Sequence, residues 1–335
     1  MPQAKMLSVV VPIYCEDELL DEVYTRLKAV LDQVAPELRH EIVFVNDGST
    51  DGSLDMLRAF AEKDPCVRVI DFSRNFGHQI AITAGIDSAL GDAVVVIDGD
   101  LQDPPEVIFE MVRLWREGNQ VVYGTRATRE GEGAFKRGTA KLFYRLLNSL
   151  SDTPLPLDTG DFRLMDRVVV DALKQMREET RYIRGMVVWV GYKQVALPYN
   201  RDSRNAGETK YTLRKMVRFA LDGIMSFSSR PLVLAAQFGG AITGFSFLYA
   251  LWLVIEKLVR PSTSTPGWTS ALVAILFLGG VQLMSIGVLG AYLGRVFSET
   301  KRRPLYVVAG RYGDDSAPAE GESALAPAEG AEGSS

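Results

Sequence analysis

The chain has 335 residues, of which 47% are hydrophobic, with 37 Lys and Arg against 42 Asp and Glu and a net charge of -5; its length suits about two domains. Six of the acids and none of the bases lie in residues 312–335, so the rest of the chain is near neutral, with 37 bases to 36 acids. That balance assigns the acidity to an Ala-, Gly-, Ser-, Pro- and Glu-rich tail that reads as disordered and says nothing about a site; no nucleic-acid partner is expected.

Residues 7–13 form a β-branched run, and residues 18–34 place Leu19, Leu20, Val23, Leu27, Val30 and Leu31 at helical spacing, which predicts a first strand and helix. Residues 1–5 lead straight into that strand and leave no room for a secretory signal, so the first domain is expected to be cytoplasmic. Cys15 and Cys66 form no disulfide framework or metal-site spacing, fit a reducing compartment and read as packing residues. Residues 41–45 are a second strand, stopped by Asn46-Asp47-Gly48-Ser49-Thr50-Asp51-Gly52-Ser53, whose Asp and Ser side chains suit a turn and the cap of the following helix. A third strand at 67–72 passes through Ser73-Arg74-Asn75-Phe76-Gly77-His78 into a helix ending near residue 90, and residues 93–97 and 120–123 give a fourth and a fifth strand. Strands and helices alternating at this rhythm imply an α/β fold with a mainly parallel sheet covered on both faces.

The fourth strand ends in Asp98-Gly99-Asp100-Leu101-Gln102-Asp103. Two carboxylates one residue apart, with an amide beyond them, suit one Mg²⁺ or Mn²⁺ bridging phosphates, or simply an acidic helix cap. Tyr14 and Glu16 follow the first strand, Asp47 the second and Arg126 the fifth, so these polar strand ends should meet on one edge of the sheet. The chain has no Gly-x-Gly-x-x-Gly after the first strand and no Gly-x-x-x-x-Gly-Lys-Ser/Thr, which speaks against a dinucleotide dehydrogenase and a P-loop nucleotidase. His78 opens a helix, where it could touch a phosphate or only cap and pack.

Residues 135–150 mix Lys136, Arg137, Lys141 and Arg145 with Leu142, Phe143, Leu146 and Leu147, a helix whose basic face is either solvated or receives an anionic acceptor. Asp158-Thr159-Gly160-Asp161-Phe162-Arg163-Leu164 sets carboxylates and an Arg at the start of a short strand, as a salt bridge or as part of a site. In residues 210–224 Leu213, Met216, Val217, Ala220, Leu221 and Ile224 share one helical face and Arg214, Lys215 and Arg218 the other, which suits an interfacial helix on anionic headgroups. Residues 232–255 and 271–293 carry no charge, and about 20 apolar residues cross a hydrocarbon core, so they predict a two-helix transmembrane hairpin. Bases crowd its outer flanks (Arg204, Lys210, Arg214, Lys215, Arg218, Arg230, Arg295, Lys301, Arg302, Arg303) against Lys257 and Arg260 in the connecting loop, which places both termini in the cytoplasm. Gly239, Gly240, Gly244, Gly279, Gly280, Gly287, Gly290 and Gly294 would let these helices, or those of other subunits in a homo-oligomer, pack closely. The chain then divides into a catalytic unit at 1–200, juxtamembrane helices at 201–230, spans at 231–258 and 270–297 around an external loop at 259–269, a cytoplasmic segment at 298–311 and a tail at 312–335.

Val11-Pro12-Ile13-Tyr14-Cys15-Glu16, the 45–53 segment from Val45 to Ser53, Ser73-Arg74-Asn75-Phe76-Gly77-His78-Gln79 and Asp98 to Glu106 together resemble glycosyltransferase family 2. The branch resembled is the polyprenyl-phosphate glycosyltransferases, meaning the bactoprenol glucosyltransferases and relatives of dolichyl-phosphate mannose synthase. The resemblance runs from about residue 7 to about 308 and implies a GT-A domain, a nucleotide-sugar donor, a polyprenyl phosphate acceptor and a divalent metal. It implies that Pro12, Tyr14, Glu16, Asp47 and Asp98 line the nucleotide-sugar pocket, and that Asp98, Asp100 and Gln102 serve the metal. Arg126, Arg137 and Lys141 match positions near the donor diphosphate and acceptor phosphate. Arg181-Tyr182-Ile183-Arg184-Gly185 stands where processive synthases carry Gln-x-x-Arg-Trp, which speaks against a polymer synthase. The activity expected is inverting hexosyl transfer, with glucose from UDP-glucose to undecaprenyl phosphate the leading reading. GDP-mannose, UDP-N-acetylhexosamine or UDP-amino-arabinose donors, or a non-catalytic nucleotide-sugar-binding protein, are the alternatives. Asp161 is the expected group for orienting the sugar or acting as a base.

Overall fold

The structure, a computed structural model, describes residues 5–34, 38–126, 159–179, 181–200, 230–259 and 267–313. The expected basic helix at 135–150, with Arg137 and Lys141, and the amphipathic segment at 210–224 lie outside the described residues.

The predicted rhythm of strand and helix is present. Strand β1 (Met6–Ile13) leads to helix α1 (Leu20–Val34), β2 (Arg39–Asn46) to α2 (Ser53–Lys63), and β3 (Val67–Phe72) to α3 (His78–Ser88). Strand β4 (Ala93–Val96) is followed by a short 3₁₀ turn (Pro105–Val107) and α4 (Ile108–Arg116), and then by β5 (Val121–Arg126). β1 is buried along almost its whole length, as a parallel strand covered on both faces should be. Its side chains alternate between two cores. Val9 and Val11 pack with Leu20, Leu27, Leu57, Ile108 and Trp115 on the face of α1, α2 and α4. Val10 packs with Ala81, Ile82 and Ala84 of α3 on the other. Each fully buried side chain of this size stabilises the fold by about 1.5–3 kcal/mol. Gly85 sits on that second face where any Cβ would run into the Val10 side chain, so its lack of one lets α3 lie close on β1.

The remaining elements complete the sheet from more distant parts of the chain. Strand β6 (Thr159–Asp166) precedes α5 (Arg167–Gln175), α6 (Ile183–Val190) and β7 (Gln194–Tyr199). The long helices α7 (Arg230–Val259) and α8 (Trp268–Thr300) follow, and β8 (Val308–Tyr312) returns to the domain. The sheet runs β7-β5-β6-β4-β1-β2-β3-β8. β4, β1, β2 and β3 are mutually parallel, and β5 pairs parallel with β7. β6 is antiparallel to both β4 and β5, and β8 is antiparallel to β3. The sheet is therefore mixed, with parallel pairs in the majority.

Three differences from the sequence reading have physical causes. Tyr312, assigned to the tail, ends a strand, because the β3 edge offers it a backbone ladder and Arg58 stacks on its ring 4.6 Å from the centroid. Cys15 is not a packing residue: it is exposed in the β1–α1 loop with φ of 55°, while Cys66 is half-buried. Among the described residues one helical stretch, Phe277–Thr300 within α8, is long and apolar enough to cross a membrane, and it is not buried by the protein itself. The expected two-span hairpin is thus matched by one candidate span among the described residues.

Candidate functional site

The strand order β3-β2-β1-β4 reverses direction between β1 and β4, and ligands of such sheets bind at that switch, beyond the carboxyl ends of the strands. β1, β2, β3, β4 and β5 all end on this edge. β6 runs the opposite way, so its first residues, including Asp161, arrive at the same edge. The predicted residues Pro12, Tyr14, Glu16, Asp47, Asp98, Asp100, Gln102 and Asp161 are therefore gathered along one rim. Arg126 ends β5 at the same rim, and its side chain lies outside the described residues.

The β1–α1 and β2–α2 loops are zipped together. The backbone N–H of Cys15 donates to Ser49 Oγ at 3.0 Å, that of Glu16 to Ser53 Oγ at 3.2 Å, and that of Asp17 to Asp51 Oδ2 at 3.3 Å. The Ser and Asp residues read as helix caps mainly bind this neighbouring loop instead, because the closely spaced β1 and β2 ends leave its N–H groups without ladder partners. Tyr14 is left half exposed on top of the zipped pair.

Asp47 is 3% exposed and fixes the next loop. Its Oδ1 accepts from the Phe76 N–H at 2.7 Å, and its Oδ2 from the Gly77 N–H at 2.9 Å. Burial raises the Asp47 pKa against the lowering effect of these two bonds. Gly48, with φ of 65°, lies so close to this loop that a Cβ would stand 2.6 Å from Asn75 N. The immediate task of Asp47 is thus to hold residues 73–77, which deliver His78 and Gln79 to the centre.

That centre is a cluster drawn from four elements. Asp161, 4% exposed, receives Arg184 Nε on Oδ1 at 2.8 Å and Arg184 Nη2 on Oδ2 at 3.0 Å, a bidentate pair. Gln79 Nε2 donates to the same Oδ2 at 3.1 Å, while Gln79 Oε1 accepts the Ile183 N–H at 3.1 Å, so one amide ties β6 to the start of α6. Burial would raise the Asp161 pKa, but bonding to His78 and Arg184 and the charges of Arg184 and Arg163 hold it well below the usual carboxylate range. Burial would likewise lower Arg184, yet its pairing with Asp161 raises it further. Arg163 lies fully buried beneath and is pushed down to about 10 by burial, which leaves it charged at neutral pH.

His78 Nε2 lies 3.4 Å from Asp161 Oδ2 and 3.4 Å from Asp98 Oδ1, between the two carboxylates. His78, read as either touching a phosphate or capping and packing, has its ring between these two carboxylates on the rim. Burial lowers its pKa, and the bond to Asp161 with the charge of Asp98 raises it overall. Asp98 is the unsatisfied member: its Oδ1 is buried and has no hydrogen-bond partner among the described residues. Burial raises its carboxyl to about 6, the charges of Asp161, Asp103 and Asp100 adding to the effect and that of His78 opposing it. Asp100 accepts the Gln102 N–H at 3.1 Å across a turn in which Leu101 has φ of 55°.

A buried carboxylate oxygen that accepts no hydrogen bond, with a second carboxylate two residues on, is the donor chemistry a hard divalent cation takes. No group of three or more His, Cys, Asp or Glu among the described residues could hold a metal alone. The residues present therefore fit a cation that shares its coordination with oxygens from a ligand, as Mg²⁺ does with phosphates.

Sequence reasoning missed Arg184 and Gln79 as members of the centre. The only sequence signal for Arg184 was its place in a segment read as a departure from a motif, and Gln79 was quoted only as part of the family's pattern.

The doubly wound half-sheet has no glycine phosphate loop and carries a paired-carboxylate strand end at its switch point, which fits the GT-A glycosyltransferase fold expected from the sequence resemblance. Residues 8–174 match Glycosyl transferase family 2. The chain is 52% identical to the uncharacterized glycosyltransferase YkcC of Bacillus subtilis (strain 168), over 91% of this chain and 94% of that protein. It is 42% identical to the bactoprenol glucosyl transferase of Shigella phage SfV, over 90% of this chain and 97% of that one. Among solved structures it is similar to the mannosyltransferase PcManGT from Pyrobaculum calidifontis in complex with GDP-Man and Mn²⁺. That likeness has 16% identity and a TM-score of 0.47 and covers 90% of this chain and 88% of the other. The chain belongs to glycosyltransferase family 2, and it is a glycosyltransferase.

Proposed function

We propose that this enzyme transfers a hexose, glucose from UDP-glucose, onto undecaprenyl phosphate at the cytoplasmic face of the membrane, with inversion, for use in envelope glycan modification. The observation that supports the donor half is the buried Asp98 Oδ1, which accepts no hydrogen bond among the described residues and has only the His78 ring 3.4 Å away, beside Asp100 at the switch point, a place suited to a cation-bound diphosphate. The acceptor half is supported by end-to-end similarity to proteins named bactoprenol glucosyl transferase, and by the apolar stretch Phe277–Thr300. Two spans, with both termini in the cytoplasm, complete this reading.

In this reading Asp98 and Asp100, with Gln102 beside them, would hold Mg²⁺ or Mn²⁺, which would supply charge neutralisation for the nucleotide diphosphate leaving group. Pro12, Tyr14, Glu16 and the loop fixed by Asp47 bound the nucleotide. Arg126, Arg137 and Lys141 hold two mutually repelling phosphates within reach of each other. A phosphate monoester, with its second pKa near about 6, is largely dianionic at neutral pH and needs little help to become a nucleophile. Asp161 is pinned by Arg184 and stays ionised, so the geometry favours its orienting role over that of a base. It keeps His78 turned toward Asp98, where the sugar's anomeric end would lie. Displacement at that carbon by the lipid phosphate inverts it, giving a β-linked product from an α-linked donor.

The test is incubation of the full chain with labelled UDP-glucose, undecaprenyl phosphate and Mg²⁺, followed by organic extraction. Label in the lipid phase is expected. Label appearing only from GDP-mannose, UDP-N-acetylglucosamine or a UDP-amino-arabinose derivative would overturn the glucose assignment, and none from any donor would overturn the acceptor.

A further inference from the structure

The chain after the membrane helix comes back to the catalytic domain and ends against the loop that carries His78. Between the end of α8 at Thr300 and Tyr306 lie five residues, a reach of at most about 20–22 Å over six Cα steps. β8 then pairs with β3 in the register Val69↔Tyr312, Ile70↔Arg311, Asp71↔Gly310 and Phe72↔Val308. The pairing continues past the strand end, because the Ser73 N–H donates to the Val307 carbonyl at 3.0 Å.

Side chains extend the same contact inward. The Tyr306 ring stacks on Phe72, with centroids 5.1 Å apart and planes at 21°, and Phe72 meets Phe76 edge to face at 5.5 Å and 83°. Such aromatic pairs contribute about 0.5–1.5 kcal/mol each beyond the area they bury. Phe76 is the residue whose N–H Asp47 holds, and two residues on is His78, between Asp98 and Asp161. A line of direct contacts thus joins the membrane helix to the carboxylate pair: the strap at 301–308, Tyr306, Phe72, Phe76, the Asp47 clamp and His78. Burial and the charge of Asp87 push the Tyr306 hydroxyl up to about 12, so it stays a neutral ring in this stack. A second tie lies alongside it, since the Glu179 N–H donates to Glu299 Oε1 at 2.8 Å, near the C-terminal end of α8 and five residues before Arg184.

We propose that the strap at 301–308, with Tyr306 as its key, is a positioning element for the 73–78 loop, so that the donor side of the site is set from the membrane helix. Tyr306 touches no reacting atom and acts through Phe72 and Phe76. This goes beyond the reaction proposed above and rests on that reading for where the donor lies and for α8 as a membrane span.

The test uses the full chain in a nanodisc and compares wild type, Tyr306→Phe and Tyr306→Ala by hydrogen exchange and by UDP binding with Mg²⁺. Tyr306→Ala should make the amides of residues 73–79 exchange about tenfold faster or more, while β1 and β2 keep their protection. UDP should bind about tenfold more weakly to it, and Tyr306→Phe, which keeps the stack, should match wild type in both readouts. Unchanged exchange at 73–79 in Tyr306→Ala would overturn the proposal, as would Tyr306→Phe behaving like Tyr306→Ala. If Tyr306→Ala loses protection throughout the sheet, Tyr306→Leu, which fills the volume without the stack, decides the matter: faster exchange confined to 73–79 supports the strap, and a wild-type pattern overturns it. Hydrogen exchange needs no substrate, so a wrong assignment of donor or acceptor shows as absent transfer in wild type and leaves this comparison intact.

Discussion

Replacing Asp98 with Asn should make the cation-free protein more stable and inactive at once. In the cation-free fold the Asp98 carboxyl titrates at about 6, against 3.8 for the unperturbed group. The folded state therefore binds more protons than the unfolded state between these values, and stability falls as pH rises from about 4 to about 6, the full cost being present above 6. At 1.36 kcal/mol per pKa unit the rise corresponds to about 3 kcal/mol of destabilisation at pH 7.5, an upper figure because the side chain is 24% exposed. Asp98→Asn removes the charge at nearly constant shape and should recover about 1–3 kcal/mol at pH 7.5 and almost nothing at pH 4. The measurement is urea unfolding of the chelator-treated chain at the two pH values, repeated with Mg²⁺ or Mn²⁺. Wild type should gain stability from the cation at pH 7.5 and much less at pH 5, where protons compete for Asp98. The variant should gain little at either pH and transfer no sugar. The reasoning fails if cation-free Asp98→Asn is less stable than wild type at pH 7.5, or if Mn²⁺ stabilises both to the same extent.

Arg184→Ala leaves Asp161 buried with only Gln79, His78 and Arg163 around it, and should cost about 3 kcal/mol. The depressed Asp161 carboxyl contributes stability that is present above pH 3.8 and lost as pH falls further, so this variant should also show a flatter acid limb in its stability profile; an unchanged limb would count against the pairing. Asp47→Ala strands the N–H groups of Phe76 and Gly77 and should destabilise by about 2–3 kcal/mol, with UDP affinity falling in parallel. Wild-type nucleotide binding in that variant would remove Asp47 from the site. Arg137→Ala should raise the KM for undecaprenyl phosphate about tenfold or more while UDP binding stays within twofold; an unaltered KM for the lipid would remove Arg137 from the acceptor phosphate.

Much of the first half was legible from local pattern. β1 to β4 are short β-branched runs buried on both faces, and such runs announce themselves without any knowledge of their neighbours. The carboxylates of Asp98 and Asp100 were legible for a related reason: strand ends in a parallel sheet all face one edge, so a polar cluster after a buried run is already placed. Asp161 was half legible. Its motif was visible, but that it pairs with Arg184 on the same rim as Asp98 depended on β6 running antiparallel beside β4. Cys15 was misread because apolar character alone suggested packing, while the loop zipped to Ser49 turns it outward.

By itself the sequence determined the first five strands and the helices between them, and which residues lie beyond those strand ends, because each of these follows from the periodicity of side chains along one segment. The tertiary structure alone decided that Arg184 pairs with Asp161, that His78 stands between Asp161 and Asp98, and that β8 closes the β3 edge. These contacts join residues 20 to more than 200 positions apart. They are set by the order in which strands pair across the sheet, and no local pattern of residues records that order.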